Sequence, residues 1–185
     1  GGTNLQAIID RLAAGELPHV ELALVVSSRK NAGGLDRADR AGIKHVYIGK
    51  ENFEQDLIKL LEEHEIDIIV LAGFLKILSS DFVSRYPDRI INVHPSLIPS
   101  FCGDGFYGLR VHEAALSYGV KVTGATVHFV NEVTDGGKII AQRAVDVKDG
   151  DTPEILQRRV MEEAEWKLLP AAVEKVAAEI VARRG

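Results

Sequence analysis

Ile90-Ile91-Asn92-Val93-His94-Pro95-Ser96-Leu97-Ile98-Pro99 is the stretch that decides how this chain is read. An apolar run ends abruptly in an amide and an imidazole, with prolines close behind. Read as a buried strand, Arg89 to Val93, it carries two polar groups at its carboxyl end. In an open α/β sheet that end lines the ligand crevice, so a hydrogen-bonding amide and a titratable ring there are positioned for chemistry. Asn92 and His94 are two residues apart and share one face of the strand. The plainer alternative is that Asn92 caps the turn and His94 is a hydrogen-bonded core histidine. Pro95 and Pro99 weigh against it, because rigid turns position functional side chains.

Working outward, short β-rich runs alternate with longer helical patterns. Strands are expected over Val20 to Val26, Lys44 to Ile48 and Ile66 to Leu71, and helices over Leu5 to Ala14, Asn31 to Ala41 and Phe53 to His64. That rhythm is one of βα units, and it predicts an α/β fold with a doubly wound, mainly parallel sheet. Val25-Val26 and Ile68-Ile69-Val70-Leu71 are continuous rather than alternating, as strands covered on both faces are. Beyond a helix at Leu109 to Tyr118, the runs Thr123 to Val130 and Lys138 to Val147 predict an antiparallel pair added to the sheet. From Thr152 the apolar spacing predicts one long C-terminal helix with Thr152 as N-cap, Pro153 in its first position and a bend at Pro170. The 185 residues, 46% of them hydrophobic, suffice for one sizeable core and are read as a single domain, 1–185.

Composition narrows the function. A formal charge of −5 argues against a surface built to neutralise nucleic acid. No apolar run approaches the ~20 residues that cross a bilayer, so no membrane partner is expected. The single cysteine, Cys102, allows no intrachain disulfide and fits a reducing, cytoplasmic setting. It lies in a loop, and a nucleophilic thiol would need a base beside it. His94, His112, His128 and Asp135 fall in no spaced ligand motif, and no metal is expected.

Asp135, in the Gly-rich segment Thr134-Asp135-Gly136-Gly137, is the candidate third member of the site. A carboxylate beside an imidazole favours the protonated ring, which can act as general acid or stabilise an oxyanion. Asn92 adds an amide donor. The trio suits acyl transfer through a tetrahedral intermediate with no protein nucleophile, because Ser96 lacks a Gly-x-Ser-x-Gly setting and is expected to bond backbone in its turn. At the other end of the chain, Gly2-Thr3-Asn4 opens a helix. Free N–H groups there make an anion site, unless Thr3 or Asn4 simply caps the helix.

The segments Gly2-Thr3-Asn4-Leu5-Gln6-Ala7-Ile8, Leu71 to Leu78, Asn92 to Pro99 and Val127 to Gly137 resemble, in order, those of phosphoribosylglycinamide formyltransferases. The resemblance implies formyl transfer from 10-formyltetrahydrofolate, as cosubstrate, to the amine of glycinamide ribonucleotide in purine biosynthesis, by a monomer or homodimer handling small molecules. It makes His94 the proton donor, Asp135 its carboxylate and Asn92 the ligand of the formyl oxygen. It assigns the ribonucleotide to Gly2, Thr3, Asn4 and Glu165. The folate falls to Lys50, Leu75, Lys76, Ile77 and Leu78, with Asn92 and the backbone of Val130, Asn131, Glu132, Val133 and Thr134. Rival readings are a formyltetrahydrofolate hydrolase, a sugar-nucleotide or tRNA formyltransferase, or a noncatalytic folate or nucleotide sensor.

The sequence departs from the family pattern in two places. The family's first strand, which leads into Gly2, is not in this sequence. The second is the segment Ser100 to Tyr107, which is longer than usual and carries Cys102-Gly103-Asp104-Gly105; Glu165 aligns with a one-residue offset nearby. Proline at 99 makes a cis Ile98-Pro99 bond possible.

Overall fold

The computed structural model describes all residues, Gly1–Gly185. Its strands are β1 (Val25–Ser27), β2 (His45–Tyr47), β3 (Ile69–Leu71), β4 (Ile90–His94), β5 (Val122–Phe129) and β6 (Ile139–Asp146). The helices are α1 (Thr3–Ala13), α2 (Gly33–Arg40), α3 (Phe53–Glu63), α4 (Ser80–Arg85), α5 (Leu109–Tyr118), α6 (Pro153–Val160) and α7 (Trp166–Arg184). The result is the expected α/β alternation with a long C-terminal helix.

Ile90 and Ile91 explain why β4 organises the molecule. Both are fully buried, and neighbouring residues of a strand point to opposite faces. Ile90 joins Phe53, Leu57 and Leu61 of α3 and Phe82 and Val83 of α4. Ile91 joins Ile8 of α1, Val127 of β5, and Leu169, Val173 and Val176 of α7. One dipeptide thus anchors two cores, one on each face of the sheet, which is the physical content of the doubly wound reading.

The ladders differ from the expectation in extent. β1 pairs with β2 in parallel, and a separate four-stranded sheet runs in the order β3-β4-β5-β6. No strand of this sequence bonds between the two sheets. Residues 20–24 therefore lack a ladder partner and stay outside β1, though Val20 and Leu22 still pack on the core. β3 is parallel to β4, but β5 is antiparallel to β4 as well as to β6, so the antiparallel portion begins one pairing earlier than expected.

At the C-terminal end the structure also corrects the position of the helix irregularity. Thr152 accepts a hydrogen bond from the Ile155 N–H and Pro153 follows it, as the sequence indicates. The break comes ahead of Pro170, as a π-helical turn over Met161–Glu165, while Pro170 lies within α7. A π turn takes up one more residue than an α turn. Leu156 and Val160 ahead of the turn and Ala164 within it face one core, and Leu169, Val173 and Val176 beyond it face the other.

Candidate active site

β4 delivers Asn92 and His94, and its antiparallel partner β5 delivers a third polar side chain. The register sets His128 opposite Asn92, and cross-strand partners lie on the same face. The Asn92 Nδ2 is 3.3 Å from the His128 Nε2. Asp135 reaches the pair from the loop after β5 with a left-handed backbone, φ 54°. Gly137 lets that loop fold back, since a Cβ there would lie 1.6 Å from the Phe129 carbonyl oxygen.

The Asp135 carboxylate stands between two imidazoles. Its Oδ2 is 3.6 Å from the His94 Nδ1, and its Oδ1 is 3.6 Å from the His128 Nε2. The Oδ2 also accepts the Gly103 N–H at 2.9 Å. Burial alone would raise the carboxyl pKa. The bonds from His128 and Gly103 and the charges of His94 and His128 outweigh it, and the group sits below the ordinary carboxylate range. His94 is buried, and its Nε2 lies 2.8 Å from the Phe101 carbonyl. The His128 Nδ1 likewise faces the Phe129 carbonyl at 2.9 Å. Carbonyl oxygens only accept, so in each case that nitrogen carries the proton.

Asn4 and Glu165, 161 residues apart, also meet, the Asn4 Nδ2 donating to the Glu165 Oε2 at 2.9 Å. Burial pushes the Glu165 carboxyl up, partly countered by that bond. Gly2 precedes α1 in the left-handed region, φ 83°, and no side chain caps the helix. The capping alternative for Thr3 and Asn4 is therefore not realised, and the first-turn N–H groups remain available to an anion. A cleft of about 440 Å³ beside Thr3 and Gln6 mixes the cations Arg11, Arg37 and Lys167 with the carboxylates Asp10 and Glu162.

The apolar residues expected at the folate divide in two. Leu78 and Val130 pack into the Ile90 core together with Phe74. Leu75, Ile77 and Val133 are 68%, 80% and 64% exposed, leaving apolar side chains uncovered on the 71–78 and 130–134 segments. Lys76 lies over the Phe53 ring, 4.5 Å from its centre. Asn131 accepts the Val133 N–H at 2.9 Å, and Glu132 and Thr134 are exposed. Lys50 is exposed ahead of α3, away from any ion pair.

Residues 1–173 match the sequence model of the formyl transferase family. The chain belongs to that family. It is 37% identical over 178 residues to the phosphoribosylglycinamide formyltransferase of Haemophilus influenzae, covering 93% of this chain and 81% of that one. It is 44% identical over 182 residues to the human trifunctional purine biosynthetic protein adenosine-3, covering 95% of this chain and 17% of that protein's length. Among solved structures, glycinamide ribonucleotide transformylase 1 from Symbiobacterium toebii superposes with a TM-score of 0.88 at 40% identity, over 96% of this chain and 84% of that one.

In this formyl transferase the site has members that sequence reasoning passed over. His128 is one of them, and the pairing of β5 with β4 is the signal that finds it. Phe101 and Gly103 act through backbone atoms, which leave no mark in residue type. The segment Ser100 to Tyr107 thus touches both His94 and Asp135. Ser96 is fully buried and donates to the Ser100 carbonyl at 2.5 Å, the backbone role expected of it. The Cys102 thiol donates to the Pro99 carbonyl at 3.4 Å, and burial and Asp135 push its pKa up, the opposite of an activated nucleophile. Ile98-Pro99 is cis. His112 of α5 is fully buried with both ring nitrogens unpartnered, and burial with the charge of His94 lowers its pKa to about 4. No helix of this formyl transferase is long and apolar enough to cross a membrane.

Proposed function

We propose that this chain transfers the formyl group of 10-formyltetrahydrofolate to the amine of glycinamide ribonucleotide, a step of purine biosynthesis carried out on small molecules in the cytoplasm. The observation that carries the reading is the convergence of Asn92, His94 and Asp135 at the carboxyl end of β4, with oxygens of one carboxylate facing two imidazoles. The names of the similar proteins support it, as does the uncapped α1 N-terminus, whose free N–H groups suit a ribonucleotide phosphate at Gly2, Thr3 and Asn4.

In this reading the substrate amine attacks the formyl carbon, forming a C–N bond and a tetrahedral oxyanion. Asn92, whose Nδ2 is 3.3 Å from the His128 Nε2, offers an amide N–H to that oxyanion, and protonated His94 supplies the compensating charge. Collapse breaks the bond from carbon to the folate nitrogen. That nitrogen leaves with a proton, and the amine loses one. Glu165, held by Asn4, is assigned to the ribonucleotide. The exposed apolar residues Leu75, Ile77 and Val133, with the backbone of 130–134, form the wall a flat pterin needs, and Lys50 and Lys76 suit the anionic tail of the folate.

The test is an assay of the purified chain with 10-formyltetrahydrofolate and glycinamide ribonucleotide, alongside a sugar-nucleotide amine and water alone. Formylation confined to the ribonucleotide supports the proposal. Folate release with water alone at the same rate would establish hydrolysis and reject it.

A further inference from the structure

Phe101 adopts a left-handed backbone, φ 48°, a conformation uncommon for a bulky residue and free of cost for glycine. The same loop uses Gly103 and Gly105 at positive φ, so the aromatic side chain at 101 has a role that offsets the backbone conformation. Its ring packs 6.4 Å from that of Phe106 and, edge-on, 6.0 Å from that of Tyr118 on α5. The base of the loop is closed by the Ser96 and Cys102 side chains, which donate to the Ser100 and Pro99 carbonyls.

This arrangement fixes two backbone groups two residues apart. The Phe101 carbonyl accepts from the His94 Nε2 at 2.8 Å, and the Gly103 N–H donates to the Asp135 Oδ2 at 2.9 Å. The loop therefore grips both members of the pair, the imidazole from behind and the carboxylate from its side. A protonated imidazole has two N–H donors and no acceptor. His94 here faces two acceptors, the Phe101 carbonyl and Asp135.

We propose that Phe101 is a positioning residue for formyl transfer: its aromatic anchorage sets its carbonyl against His94, which fixes the ring's orientation and provides the second acceptor that the cation requires. The other titratable groups around the pair are His112 from α5, His128 from β5 across Asp135, and the Cys102 thiol of the loop. None of them is an acceptor for the Nε2 proton. The catalytic consequence rests on the formyl-transfer reading, whereas the protonation of the Nε2 does not.

The two parts are tested separately. Imidazole-labelled protein examined by 15N NMR is expected to show the His94 Nε2 protonated, with a slowly exchanging proton. Phe101→Gly keeps the carbonyl and suits the backbone but removes the anchor. It is expected to broaden or shift that signal and to lower kcat roughly ten- to a hundredfold, with the ribonucleotide KM nearly unchanged. The high-pH limb of its kcat profile moves to lower pH. Phe101→Tyr restores most of what Phe101→Gly loses. An unprotonated Nε2 in the wild-type chain would overturn the proposal whether or not the chain transfers formyl groups. So would a Phe101→Gly variant that keeps the wild-type kcat and pH profile.

Discussion

At the scale of single residues, the proposed chemistry turns on one carboxylate that faces two rings. His94→Ala removes the positive charge proposed to face the oxyanion and is expected to lower kcat by about a hundredfold or more while the far-ultraviolet circular dichroism stays that of the wild type. Near wild-type turnover would remove His94 from the mechanism. Asp135→Asn keeps the shape but deletes the negative charge beside both imidazoles. The rate should fall, and the limb of the pH–rate profile on which protonated His94 is lost should move to lower pH. An unchanged profile would mean that Asp135 acts through geometry alone. Asn92, His94 and Asp135 were legible in the sequence because a polar pair at the end of an apolar run and an acid in a glycine turn are conspicuous by residue type. His128 was not, since its part depends on standing opposite Asn92 across two strands 36 residues apart.

Among the elements, β4 was legible because a strand covered on both faces reads as an unbroken apolar run, and Ile90 and Ile91 behave accordingly. The extents of β1 and β3 were not, because a ladder needs a partner and the sequence does not record which strands are neighbours. The π turn over Met161–Glu165 was not legible, because nothing in residue type distinguishes it from the α-helix on either side. Its geometry predicts an asymmetry in tolerance. Removing the exposed Glu163 should let the turn revert to α-helix with both flanking stripes still facing their cores, leaving Tm within a few degrees of wild type. Removing the exposed Lys175 from regular helix rotates everything beyond it by ~100°, turning Val176 and Ala177 out of the core, and should lower Tm by roughly 10 °C or more. Equal losses in thermal melts of the two deletion variants would show that the π turn has no slack.

For the whole molecule, acid stability should decline in two stages. His112 is held neutral, with its pKa lowered from 6.5 to about 4. Below pH 6.5 the unfolded chain takes up this proton and the folded chain does not, so stability falls as pH drops from 6.5 towards 4, by roughly 3 kcal/mol at most. Asp151, bonded to Arg159 at 2.5 and 2.7 Å, has its carboxyl lowered from 3.8 to about 2. Its contribution is complete above pH 3.8 and is lost as pH falls through 2. His112→Leu should flatten the first stage and, by removing two unpartnered buried nitrogens, cost little stability at pH 7.5. Denaturant midpoints measured across pH decide this, and an undiminished first stage in His112→Leu would assign it to another group.

The bond from Asn4 to Glu165 has a consequence for how the protein comes into being. The residue near the start of the chain waits for a carboxylate made 161 positions later. On the ribosome, a nascent product that ends short of Glu165 leaves the Asn4 amide without that partner.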